Sequence, residues 1–125
     1  MTLADEVRLE VPAMPEFLRL ARLTASGLGS RLGFTVDQVE DLKLAIDELC
    51  FGLTGPNGRP GSVAVRFRLR PGALEVSGDG LFEDEQVTPE QSELSKLILD
   101  ALVDEHELSA GSRAPSFRMV KRRMS

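Results

Sequence analysis

The nine residues from Ser62 to Arg70 put Val63, Val65, Phe67 and Leu69 on one side of an extended chain and Arg66, Arg68 and Arg70 on the other. Only a strand presents that alternation, because its successive side chains point to opposite faces. Pro71 and Gly72 then turn the chain, and "ALEVSG" from Ala73 pairs back as the second arm of a hairpin. A chain holding this hairpin builds a sheet with one dry and one wet face, the wet face carrying Arg66, Arg68, Arg70 and Glu75. Its helices must cover the dry face.

The remaining elements fit that demand. "EVRLEVPA" alternates Val7, Leu9 and Val11 with Glu6, Arg8 and Glu10, and Pro12 ends the strand. Pro15 suits a first helical turn, and Phe17, Leu18, Leu20, Ala21, Leu28 and Leu32 populate a helix that reaches Gly33, weakened in its second half by Gly27 and Gly29. Thr35 with Gln38 three residues on forms a capping box, so a second helix starts at Val36. Val39, Leu42, Ile46, Leu49 and Leu53 recur at spacings of three and four, which lines one core-facing side. "TGPNGRPG", Thr54 to Gly61, is a loop. Thr88, Pro89 and Gln91 read as the start of a third helix with Leu94, Leu97, Ile98, Ala101 and Leu102 facing inward. Two last strands, His106 to Ala110 and Pro115 to Met124, join around Gly111.

The order strand, helix, helix, hairpin, helix, hairpin predicts an α+β two-layer sandwich: a mixed, mainly antiparallel sheet of about five strands with three helices on one face. With 125 residues and no repeat or linker, the whole of 1–125 is expected to be one domain. No apolar run nears the roughly 20 residues that cross a bilayer, and the amino terminus lacks a signal-peptide pattern, so a cytoplasmic protein without membrane contact is expected. The lone Cys50 agrees with a reducing compartment and reads as a buried structural thiol on an apolar helix stripe. A net charge of −5 argues against direct nucleic-acid binding. The charge is uneven: Asp79 to Glu107 holds ten acidic residues against Lys96, and Arg113 to Arg123 holds five basic residues and no acidic one. Solubility with an outward strand edge, and a polar protein-binding surface, both account for it. His106 is expected to be a structural, exposed histidine, and no metal-ligand or Ser/His/Asp spacing stands out.

The element order, "VEDLKLAIDELC" and "ILDALVDEHEL…PSFRMVKR" together resemble the anti-sigma-factor serine kinases of the Bergerat-fold, histidine-kinase-like (GHKL) ATPase superfamily, over nearly the full length. The resemblance implies that Glu48 stands at the position of the family's general base. The asparagine that holds magnesium one turn later falls on Gly52, which has no oxygen ligand to offer. The adenine-reading aspartate of the D-x-G motif falls on Gly78. Gly80 keeps the glycine, and Asp79 in extended chain points to the other side. The glycine-rich phosphate cradle falls on Glu93, Leu94, Ser95 and Lys96. A carboxylate there faces phosphate with the wrong sign, by roughly 4 kcal/mol per unit charge pair at 4 Å and an effective dielectric of about 20. Glu83, Asp84 and Glu85 add to it, and Lys96 is one flexible counterweight.

Three altered nucleotide motifs on an intact scaffold imply a protein-binding regulator: a degenerate anti-sigma factor that sequesters a sigma factor, is countered by an anti-anti-sigma partner, and needs neither ATP nor metal. Glu48 and Gly80 are then vestiges. The resemblance places partner binding on the first helix, at Arg19, whose bland alternative is a solvated helix charge, and a homodimer is compatible with a free sheet edge. Two other readings stand beside it: an active serine kinase using Glu48, ATP and magnesium on an anti-anti-sigma factor, and an unrelated regulator sharing only the scaffold.

Overall fold

The computed structural model describes residues 5–84, 91–109 and 114–124. In chain order come β1 (Glu6–Pro12), α1 (Pro15–Arg31), α2 (Val36–Thr54), β2 (Gly61–Arg70), β3 (Ala73–Phe82), α3 (Glu93–Leu102), β4 (Glu105–Ser109) and β5 (Ser116–Arg122). The five strands form one sheet in the order β1-β2-β3-β5-β4. Every neighbouring pair is antiparallel, so the sheet is not mixed as the sequence reading has it. The single-helix crossover from β3 through α3 to β4 does return the chain in a parallel sense. β5 inserts between β3 and β4, however, and keeps that parallel pair apart.

The alternation in β2 does what it predicts. Val63, Val65 and Phe67 are fully buried, as are Leu74 and Val76 of β3, against Leu42, Ile46, Leu49 and Leu53 of α2. Each such side chain contributes on the order of 1.5–3 kcal/mol by leaving water. Gly72 adopts φ 68°, the left-handed backbone a Pro–Gly turn needs after a proline. The capping box is present: the Thr35 hydroxyl accepts from the Gln38 amide at 3.1 Å, and the Thr35 amide donates to Gln38 Oε1 at 3.1 Å. Gln38 Nε2 also donates to the Arg122 carbonyl at 3.2 Å, tying the start of α2 to β5.

α1 runs unbroken through both of its expected weak points. At Gly29 a Cβ would lie 3.2 Å from Leu42 of α2, so the glycine leaves room for the Leu42 side chain there.

The wet face is a ladder of ion pairs. Glu75 accepts from Arg118 at 2.9 Å and Arg68 at 3.4 Å, Glu6 from Arg68 at 3.0 Å, and Glu105 from Arg122 at 2.6 Å. The basic run near the end of the chain is therefore largely engaged within the fold. Lys121 donates to the Leu102 carbonyl at 2.6 Å, and Arg123 to the Leu32 carbonyl at 3.2 Å. Arg113 lies outside the described residues.

α3 departs from its sequence reading twice. It begins at Glu93, with the Ser92 hydroxyl accepting from the Ser95 amide at 3.0 Å, while the expected cap at Thr88 and Pro89 lies outside the described residues. Its orientation also differs. Ser95, Leu99 and Leu102 face the core, with Leu99 fully buried, whereas Leu94, Leu97, Ile98 and Ala101 are exposed. The segment carries apolar residues on two helical lines, and only one of them can meet the sheet. The loop at Gly111 lies outside the described residues as well.

Candidate functional site

α2 places Glu48 and Gly52 one turn apart on the side of the helix that looks toward α3 and β4. Glu48 is partly exposed on the wall of a groove of about 600 Å³ between α2 and α3. It has no hydrogen-bond or ion-pair partner among the described residues. Gly52 faces β4, where a Cβ would meet Leu108 Cδ2 at 2.7 Å. The space a magnesium-holding side chain would need is thus filled by a hydrocarbon branch, and magnesium requires oxygen. Among the described residues no grouping of three or more His, Cys, Asp or Glu is placed to hold a metal ion.

The positions where the resemblance puts the adenine reader are crowded as well. Gly78 and Phe117 are cross-strand partners, and a Cβ on Gly78 would fall inside the Phe117 ring's contact distance. An aspartate at 78 has no room. Over Gly80 lies the ring of Phe82, 2.5 Å from where a Cβ would stand, so a flat base has no open approach to that glycine. Asp79 points to the wet face and pairs with Arg66 at 3.5 Å, as the alternation of β3 requires. It cannot stand in for the missing reader.

At residues 93–96, where the resemblance puts the phosphate cradle, the described groups are engaged within α3. The Ser95 amide is already taken by Ser92, and Lys96 pairs with Glu93 at 3.3 Å within its own helix turn. Asp84 is not a free lid charge, as the sequence suggests, because it accepts from buried Arg59 at 2.8 Å. Arg59 in turn lies 4.0 Å over the centre of the Phe82 ring. The sequence reading missed this anchor; the only trace of it is an arginine inside a Gly/Pro loop. Glu83 is exposed, and Glu85 lies outside the described residues.

Next to the groove, sharing Asp47 and Phe51 with it, is a second cavity of about 250 Å³ lined also by Arg22 and Cys50, with Arg19 exposed at its edge. Asp47 pairs with Arg22 of α1 at 3.1 Å. Cys50 is buried, and loss of water followed by the nearby Asp47 charge pushes its thiol up to about 12. Phe17, Leu20 and Leu23 of α1 are exposed around Arg19. His106 sits within β4. Its side chain is 13% exposed, and it contacts Asp100 at 2.6 Å, which corrects the expectation of an exposed histidine.

No helix among the described residues is long and apolar enough to cross a membrane. No family model matches the chain. Several curated proteins do. The chain is 39% identical over 77 residues to serine-protein kinase RsbW of Bacillus pumilus, covering 58% of this chain and 48% of that protein. It is 47% identical over 78 residues to the Listeria innocua protein of the same name, covering 60% and 50%. With the Bacillus licheniformis protein, also serine-protein kinase RsbW, it is 32% identical over 112 residues, covering 86% of this chain and 68% of that protein. Against the first of these relatives the chain spans about half of the relative's length.

Proposed function

The chain belongs to the RsbW serine-protein kinase family, and from that premise we propose that it acts by holding a partner rather than by phosphorylating one. In this reading it is an anti-sigma-factor-like regulator in the cytoplasm. It binds and sequesters a sigma factor, is countered by an anti-anti-sigma partner, and has given up ATP binding and kinase activity. The observation that carries the second half is Leu108 against Gly52: the position where the family's magnesium ligand falls has no oxygen, and a Leu108 methyl lies where a side chain would begin. Phe117 on Gly78 and Phe82 on Gly80 support it at the adenine end.

The partner surface is α1. Leu18, Ala21, Ala25 and Gly29 anchor the helix in the core and fix its direction, which leaves Phe17, Leu20 and Leu23 presented to solvent beside Arg19. Exposed apolar anchors next to an arginine have the composition of a binding hot spot. Burying them against a partner stabilises the complex, and Arg19 adds charge selectivity. Pairing of two copies through the free edge of β1 or β4 is compatible with this surface.

Glu48 favours the competing reading, an active kinase, because a free carboxylate is kept where the family's base falls. Isothermal titration of the purified chain with magnesium-ATP separates the two. No heat at about 1 mM ATP is expected, and saturable, magnesium-dependent heat would replace the binding protein by the kinase. Co-purification with a sigma factor, lost on Arg19→Glu, tests the partner surface.

A further inference from the structure

We propose that the groove between α2 and α3 is a docking site for a basic amphipathic helix of a partner protein. The groove adjoins the cavity beside Arg19, sharing Asp47 and Phe51 with it, but is otherwise lined by α2 and α3, and the inference does not depend on the partner being a sigma factor. Leu44 and Phe51 of α2 and Ile98, Ala101 and Leu102 of α3 line the groove, with Glu48 on its wall. Leu94 and Leu97 extend the apolar line along α3. The exposures are large for such residues: Leu44 56%, Phe51 55%, Leu94 67% and Leu97 65%. Leu94, Leu97, Ile98 and Ala101 follow the spacing i, i+3, i+4, i+7, the pattern a helix uses to meet another helix. α3 already meets the core through its other line, with Leu99 fully buried. The outward line is therefore surplus to the fold. An apolar stripe of this kind, rimmed by polar residues, marks an interaction surface.

Charge selects the occupant. α2 and α3 together carry seven carboxylates and two lysines, and both lysines are engaged within their own helices, Lys43 with Glu40 at 3.1 Å and Lys96 with Glu93 at 3.3 Å. Among the described residues the only charged side chains lining the groove are Asp47, which pairs with Arg22, and Glu48, which has no partner there. An apolar trough with carboxylates and no cation in its lining matches a third helix whose apolar stripe is flanked by lysine or arginine. An acidic helix would meet like charge at Asp47 and Glu48.

The test is fluorescence anisotropy of the full chain with a labelled peptide of roughly 18 residues, leucines at i, i+3, i+4 and i+7 and lysines flanking them. Saturable binding is expected. It should weaken at least about tenfold when glutamates replace the lysines, and by a similar factor on Leu97→Asp and on Glu48→Lys. Leu97 is mostly exposed and Glu48 partly so. Far-UV circular dichroism and melting matching the parent identify a loss of binding as local. Equal binding of the glutamate peptide, indifference to both substitutions, or no binding at about 1 mM would overturn the proposal. So would concentration-dependent self-association abolished by Leu97→Asp in the absence of peptide binding, which would assign the groove to a second copy of this chain.

Discussion

Leu108 of β4 and Gly52 of α2 are packed as a matched pair: the glycine's missing side chain leaves the volume that the leucine's Cδ2 occupies, 2.7 Å from where a Cβ would be. The two are far apart in sequence and meet only because β4 closes the sheet under α2. Putting an oxygen ligand back at 52 therefore means displacing hydrophobic packing. Gly52→Asn is expected to lower stability by about 1–3 kcal/mol despite removing a helical glycine, without creating magnesium-ATP binding. Adding Leu108→Ala should recover part of that loss, a non-additivity that a double-mutant cycle in urea measures.

Gly78→Asp is expected to do more damage, by at least about 3 kcal/mol, because the new carboxylate must share the site of the buried Phe117 ring with no cation facing it. Urea denaturation followed by circular dichroism checks it. A variant as stable as the parent would show that the ring moves aside freely and that the adenine end is open.

Arg59→Ala removes both the stacking on Phe82 and the pair with Asp84, and is expected to cost about 1–3 kcal/mol. Arg59→Lys should recover only part of this, since an ammonium lacks the planar face that lies on the ring. Thermal melting of the two variants beside the parent reads the difference.

The wet face ties stability to pH. Burial by itself would raise the Glu75 carboxyl, but hydrogen bonding to Arg118 and the charges of Arg118, Arg70 and Arg68 outweigh it and hold it below its ordinary 4.5. Glu6, hydrogen-bonded by Arg8 and Arg68, and Glu105, by Arg122 and Arg118, shift the same way. A carboxyl lowered in the folded state binds fewer protons than when unfolded, so its contribution is present above the unfolded value. It is lost as pH falls through the folded one. The melting temperature is expected to hold above about pH 5 and to fall below about pH 4.5, less steeply for Glu75→Gln.

The Cys50 thiol, pushed up to about 12 inside α2, should be inert to alkylation in the native protein at pH 8 and react promptly in denaturant. Mass spectrometry after iodoacetamide treatment checks this. Native-state labelling at the rate of a free thiol would mean that α2 opens locally.

Much of the fold is written in short-range pattern. The β2 alternation, the Pro71–Gly72 turn and the Thr35–Gln38 box each act within a few residues, and each appears in place. The side to which Asp79 points is legible from alternation alone. The outward turn of α3 is not, because residues 94–102 offer two apolar lines and only the packing of α3 against α2 and β4 decides between them. The sequence reveals that positions 52 and 78 lack side chains. It cannot reveal that Phe117, brought to Gly78 by sheet register, and Leu108, brought to Gly52 by the packing of β4 against α2, take up the space.

The position of β5 has a consequence for synthesis. It follows every other described element in the chain, yet it lies inside the sheet between β3 and β4. Until Arg122 has left the ribosome, β3 presents an unpaired edge and β4 has no strand to pair with. The growing chain thus carries an adhesive border until β5 has emerged, and its protection by chaperones, or its capture by another strand, is decided in that interval.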